Sequence, residues 1–201
     1  MPESAPLQRA RCAQCLRPAR TCLCPWLRAT DNRLPLLVLQ HPLEQHHAKG
    51  TLPLLRLSLS QCRVEVGESF DAQLLRAWLG TGSWLLYPGP GPDAALPASA
   101  PAMPLRQLVL LDGTWRKTRK LLHLNPVLQA LPRCSLPAAP ASVYRIRKSQ
   151  RSDQQSTLEA ACLALGQAEG RAAHYEPLLR SFVAWIDDAD ARATASGRPH
   201  S

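Results

Sequence analysis

Two short and almost unbroken apolar runs constrain the fold most. Residues 34–40 read Leu-Pro-Leu-Leu-Val-Leu-Gln, and residues 105–111 end in Leu-Val-Leu-Leu. Each run is bounded by polar residues, as expected of a strand buried on both faces. The sequence between and after them alternates in the same spirit. Residues 49–60 are Leu-rich with polar breaks and are expected to be helical, with Pro53 in the first turn. Residues 62–66, 83–87 and 142–147 read as short strands, and residues 71–79 and 116–122 as helices. Ser156-Thr157-Leu158-Glu159 opens a helix that sets Leu158, Ala161, Cys162 and Leu165 on one face. A last amphipathic helix carries Leu178, Leu179, Phe182, Val183 and Ile186. This alternation predicts an α/β fold: a mostly parallel sheet flanked by helices. In such sheets ligands bind beyond the carboxyl ends of the strands. Pro88 and Asp112 both follow strand ends, so the loops they begin are expected to share one crevice. Residues 88–104, rich in Pro and Ala, read as a long irregular loop.

A length of 201 residues fits one domain with a small appendage. The expected division is an N-terminal segment over 1–30, a main domain over 31–195 and a loose tail over 196–201. No stretch approaches the about 20 apolar residues that a bilayer requires, which excludes a helical membrane span. The first residues carry no charged-then-apolar run, so the expected compartment is the cytoplasm.

Charge points to a polyanionic partner. Lys and Arg number 24 against 15 Asp and Glu, for a net charge of +9. Such a surplus favours RNA or DNA, although an arginine habit of GC-rich coding would produce part of it.

Seven cysteines fall into two groups. Cys62, Cys134 and Cys162 are scattered in apolar surroundings and read as small buried hydrophobes. Cys12, Cys15, Cys22 and Cys24 crowd together as C-x2-C-x6-C-x1-C. Two close pairs of thiolates complete a tetrahedron around Zn2+, and a site of four thiolates is closed and structural. Disulfides and free thiols are the alternatives, the former disfavoured in a reducing compartment. Arg9, Arg11, Arg17, Arg20 and Arg28 surround the cluster with no acid among them, which suits a phosphate backbone.

Four further constellations carry chemistry. Asp112-Gly113-Thr114-Trp115 places a carboxylate where a strand meets a helix. There it either acts on a ligand or caps the helix, while Trp115 either stacks or fills the core. Ser156-Thr157-Leu158-Glu159 matches the capping box, and the helix start it makes can also hold a carboxylate or phosphate. Tyr144-Arg145-Ile146-Arg147-Lys148, with the similar run at 116–120, reads as a phosphate-binding ridge or a solvated edge. His41-Pro42-Leu43-Glu44-Gln45-His46-His47 lacks the spacing of a helical zinc site and reads as a polar loop facing the crevice.

Taken in order along the chain, these motifs resemble the DTW-domain family. The elements that carry the likeness are the cysteines at 12–24, His41-Pro42-x-Glu44, Asp112-x-Thr114-Trp115, and Tyr144-Arg145-x-Arg147-Lys148 followed by Ser156-Thr157-Leu158-Glu159-Ala160. The resemblance runs from about residue 11 to 185. The chain departs from the family at Gly50, where an asparagine is common. The resemblance implies a fold like that of the knotted SPOUT methyltransferases. It also implies a tRNA-uridine aminocarboxypropyltransferase, which moves the 3-amino-3-carboxypropyl group of S-adenosylmethionine to N3 of a uridine and releases 5′-methylthioadenosine.

In that reading Asp112 is the candidate general base for the uridine N3 proton. Tyr87, Pro88, Leu111, Gly113, Thr114, Trp115, Ser156, Thr157 and Glu159 are expected around the cofactor. His41, Glu44, Lys49, Arg116, Lys117, Arg145, Arg147 and Lys148 are expected against tRNA, and Cys12, Cys15, Cys22 and Cys24 around Zn2+. The target uridine must be unpaired or extruded to expose N3, and a variable-loop position is expected. Two other classes stay open: a SPOUT-like RNA methyltransferase using the same cofactor, and a non-catalytic RNA-binding zinc protein. The sequence sets no oligomeric state.

Overall fold

The computed structural model describes residues 10–45, 47, 50–88, 104–136, 142 and 155–195. Among them, five parallel strands form one sheet: β1 (Leu36–Gln40), β2 (Cys62–Val66), β3 (Ser83–Leu86), β4 (Gln107–Asp112) and β5 (Arg133–Cys134). Their spatial order is β2-β1-β4-β3-β5. The helices are α1 (Leu52–Ser58), α2 (Ala72–Leu79), α3 (Trp115–Leu124), α4 (Pro126–Gln129), α5 (Thr157–Ala168) and α6 (Ala172–Ala195).

The apolar runs become the central strands because both of their faces are covered. All five residues of β1 are buried. Strand alternation sends Leu36 and Val38 to one side of the sheet and Leu37 and Leu39 to the other. On the first side they meet α1, α5 and α6, where Leu54, Leu158, Phe182 and Ile186 are fully buried. On the second side they meet α2, α3 and α4 through Leu75, Leu79, Leu122 and Leu128. The result is a three-layer sandwich. Leu158, Ala161, Cys162 and Leu165 are all buried, as their spacing predicts. Cys134 and Cys162 are buried with them, and desolvation pushes both thiols up to about 12. Cys62 lies on the edge strand β2 and is only half-buried.

Two elements are absent from the sequence reading. The four-residue α4 is too short to show a period, and β5 is a two-residue strand recruited by pairing with Leu85 and Leu86. The expected strand at 142–147 lies outside the described residues except for Ser142, as does the loop between Pro88 and Pro104. The described part of the N-terminal segment packs on the main domain. Cys15 and Leu23 are buried in the same apolar cluster as β1 and α6. Ser181 of α6 donates a hydrogen bond of 2.7 Å to the Trp26 carbonyl.

The strand order creates the site. From the end of β1 the chain passes to β2 on one side, and from the end of β4 it passes to β5 on the other, so the order reverses between β1 and β4. Crevices for ligands open at such switch points.

Candidate active site

Asp112 is the last residue of β4 and sits opposite Gln40, the last residue of β1. Both follow residues that face the second apolar cluster, so both side chains turn to the α5 side. The Gln40 amide donates to Asp112 Oδ2 at 2.8 Å, and the Thr157 hydroxyl donates to Oδ1 at 2.5 Å. Asp112 therefore does not cap the helix that follows. The N-cap of α3 is Thr114, whose side chain makes no capping bond. Asp112 is only half-buried, at the carboxyl end of β4.

Gly113 brings the pieces close. A Cβ there would lie 3.1 Å from Lys117 Cβ and 3.6 Å from His41 Cβ. The tight contact is therefore with α3 itself, while the loop after β1 lies at ordinary van der Waals distance.

Thr157 is placed by a capping box. Ser156 Oγ accepts from the Glu159 N–H at 3.2 Å, and Glu159 Oε2 accepts from the Ser156 N–H at 2.8 Å. Ser142 donates to the same oxygen at 2.8 Å. Glu159 is buried, and these bonds occupy its carboxylate within the protein.

On the other flank, Trp115 is 46% exposed, which removes the core-filling reading. Its ring meets Tyr87 edge-on at 5.6 Å, and the Arg133 guanidinium lies over Tyr87 at 5.7 Å. Arg133 also donates to the Pro88 carbonyl at 3.2 Å. Together they form an aromatic step at the carboxyl ends of β3 and β4, beside β5. Arg133 belongs to this step without any sequence signal, because only the pairing of β5 with β3 brings it there. Leu111 turns to the opposite side of the sheet from Asp112 and packs with the second apolar cluster.

In the loop after β1, His41 and Glu44 are buried, at 2% and 5% exposure. Both hold α3. Glu44 pairs with Lys117 at 2.8 Å. His41 Nδ1 accepts from the Leu43 N–H at 3.2 Å, which leaves Nε2 to donate to Glu68 at 2.7 Å. Glu68 also binds Lys120 at 2.6 Å, and that bond holds its carboxyl below the usual carboxylate range. Lys117 thus meets a buried partner, while Arg116 and Arg119 stay exposed on α3. Lys49, Arg145, Arg147 and Lys148 lie outside the described residues.

Cys12, Cys15, Cys22 and Cys24 converge, with all four sulfurs within 4.8 Å of one another. Cys12 and Cys24 are 3.5 Å apart and Cys15 and Cys22 3.7 Å. These separations exclude disulfides, whose sulfurs lie about 2.05 Å apart. They match the edge of about 3.8 Å that tetrahedral Zn–S bonds of about 2.3 Å require. Backbone N–H groups of Cys15 and Gln14 pull the Cys12 thiol down to about 6, while burial pushes Cys24 up to about 12. The Leu23 N–H also points at Cys15 Sγ, at 3.5 Å. Four convergent thiols with N–H donors aimed at sulfur are a donor set that can hold a soft metal ion. Arg17 joins this knuckle to the main domain: it donates to the Gly50 carbonyl at 2.9 Å and lies over the Trp185 ring at 5.8 Å.

The fold and site together define an α/β protein with its signature carboxylate at a sheet switch point and a four-cysteine knuckle packed on the same core. The DTW domain model matches residues 9–189, and the chain belongs to that family. It is 31% identical over 196 residues to "tRNA-uridine aminocarboxypropyltransferase 2" of Macaca fascicularis, covering 92% of this chain and 65% of that protein. It is 32% identical over 184 residues to the protein of that name in Drosophila melanogaster, covering 87% and 73%. It is 28% identical over 145 residues to "tRNA-uridine aminocarboxypropyltransferase A" of Arabidopsis thaliana, covering 60% and 53%. The chain spans a little under two thirds of the macaque and mouse relatives, 65% and 62% of their lengths. No solved structure matches it.

Proposed function

We propose that this chain is a tRNA-uridine aminocarboxypropyltransferase that uses S-adenosylmethionine to form 3-(3-amino-3-carboxypropyl)uridine, at a variable-loop position. The observation that carries the reading is the signature carboxylate, Asp112, held at the mouth of the switch-point crevice by groups from β1 and α5.

The residues present suit the donor. The N-terminus of α5 at Ser156 and Thr157 favours a carboxylate through its free N–H groups and dipole. Trp115, exposed beside Tyr87, offers an apolar face to a nucleoside. When bound, S-adenosylmethionine supplies an aminocarboxypropyl carbon already activated by its sulfonium, with methylthioadenosine as leaving group. The protein's own task is then to orient and to move one proton. Asp112 accepts the N3 proton of the uridine as general base. Thr114 and Trp115 line the way to it, and α3, held through Glu44 and Glu68, keeps them in place. Arg116 and Arg119, with Arg145, Arg147 and Lys148, bind tRNA phosphates. The four cysteines bind a structural Zn2+, and the protein works in the cytoplasm.

Incubation of the protein with unmodified tRNA and S-adenosylmethionine, followed by mass spectrometry of the digested nucleosides, tests this. Uridine heavier by about 101 Da is the expected product, placed by the same positioning logic that a methyl transfer of about 14 Da would need. A methylated nucleoside, or no new nucleoside from a protein that binds tRNA, overturns the reading.

A further inference from the structure

A carboxylate that must receive one proton from one direction needs its rotation stopped. We infer that Gln40 is a positioning residue for Asp112, and that Thr157 is its counterpart on the opposite oxygen. This rests on the reading of Asp112 as the proton acceptor.

Gln40 ends a strand that is otherwise wholly apolar, and it is only 6% exposed. A buried amide at that position is costly unless it is hydrogen-bonded. Its side chain donates to Asp112 Oδ2, at 2.8 Å. The two residues are register partners on adjacent parallel strands, so the backbone places them side by side whatever their side chains do. Thr157 donates to the other oxygen from a different element, the first turn of α5.

The terminal torsion of an aspartate is broad and roughly two-fold, so a carboxylate held from one side still swings. Donors from β1 and α5, one on each oxygen, remove that freedom. A carboxylate has about four lone-pair sites, so these two donors do not by themselves exhaust it. Gln40 also stands outside the Asp-x-Thr-Trp signature, next to His41, and acts through Asp112 rather than on a substrate. A purely structural Gln40 would merely tie two strand ends together. Its replacement would then lower thermal stability and leave the behaviour of Asp112 unchanged.

The test is Gln40→Met, which keeps length and removes the donor. Carbon-13 NMR of the Asp112 carboxyl, in protein without tRNA or cofactor, should show its titration midpoint rise by about one pH unit. An unchanged midpoint overturns the inference, whatever reaction the site performs. In the transfer assay kcat should fall about tenfold to a hundredfold with KM for tRNA unchanged. The substitution should add nothing further in an Asp112→Asn background, because the two residues act as one unit. Equal falls in both backgrounds make Gln40 structural and overturn the inference. Should Gln40→Met not fold, the other oxygen decides: Thr157→Val should raise the midpoint and Thr157→Ser should not. If the two threonine variants titrate alike, the paired hold on Asp112 is refuted. A wild-type protein that makes no aminocarboxypropyl-uridine removes the proposed reaction alone, since the carboxyl titration still decides the role of Gln40.

Discussion

Asp112 and Glu68 are both carboxylates held by side chains from two other elements, yet their surroundings give them different work. Asp112 lies at the carboxyl end of β4, and two of its partners are the neutral donors Gln40 and Thr157, at 2.8 and 2.5 Å. Asp112→Asn keeps the shape and removes the proton acceptor. It should bind S-adenosylmethionine as before in calorimetry and reduce the transfer rate about 100- to 10,000-fold. Full activity in that variant would remove Asp112 as the base. Glu68 bridges His41 and Lys120, and the Lys120 bond lowers its carboxyl from the ordinary 4.5. A carboxyl lowered in the folded state adds stability that is complete above its ordinary value. That stability is lost as pH falls through the lowered value. Melting curves from pH 6 downward should therefore fall more steeply below about pH 4.5 in the wild type than in Glu68→Gln. Parallel curves would show that the bridge to α3 adds nothing.

Among the elements, the cysteine knuckle and α5 show how local chemistry reaches the core. Leu16 in the knuckle adopts a left-handed conformation, φ 58°, that L side chains other than Asn and Asp rarely accept. The turn is held by the Cys12 N–H to the Arg17 carbonyl at 2.8 Å and the Leu16 N–H to the Cys12 carbonyl at 2.9 Å. Leu23, between the second pair of cysteines, is fully buried against the main core. Removal of these thiols should accordingly unsettle more than the knuckle itself. Cys12→Ser with Cys15→Ser should abolish bound zinc in elemental analysis and lower the melting temperature of the whole transition. A protein purified without metal but fully folded would end the zinc assignment. In α5, the capping box and the buried stripe were both legible, because each depends on residues three or four apart. The partner of Thr157 was not, since Asp112 is 45 residues away.

For the molecule as a whole, charge sets how tRNA would be met. Arg116 and Arg119 are exposed on α3, the helix that starts at the crevice, while Arg11 and Arg20 are on the knuckle. Both surfaces are basic, and binding of phosphates releases counterions. Replacing Arg116 and Arg119 with glutamine should weaken tRNA binding. It should also reduce the slope of log affinity against log salt by about one for each phosphate that is no longer neutralised. An unchanged slope would mark α3 as a solvated face. His41, Glu44 and Lys117 show why such assignments are hard from sequence. Polar residues in a loop or on a basic helix read as surface, yet these three, with Glu68, form the connection that fixes α3 to the loop after β1.

What the sequence determined by itself is everything that short-range periodicity encodes. Continuous apolar runs require covered strands, a 3.6-residue stripe requires a helix packed on one side, and four close cysteines favour a shared ligand or a bond. The order of signature motifs carried the family. The tertiary structure alone decided which strand ends lie together. Register pairs Gln40 with Asp112 across 72 residues, and the two-residue β5 brings Arg133 to Tyr87. Such pairings depend on how strands are ordered in the sheet, and that order follows from burying both faces of the sheet at once rather than from any local pattern.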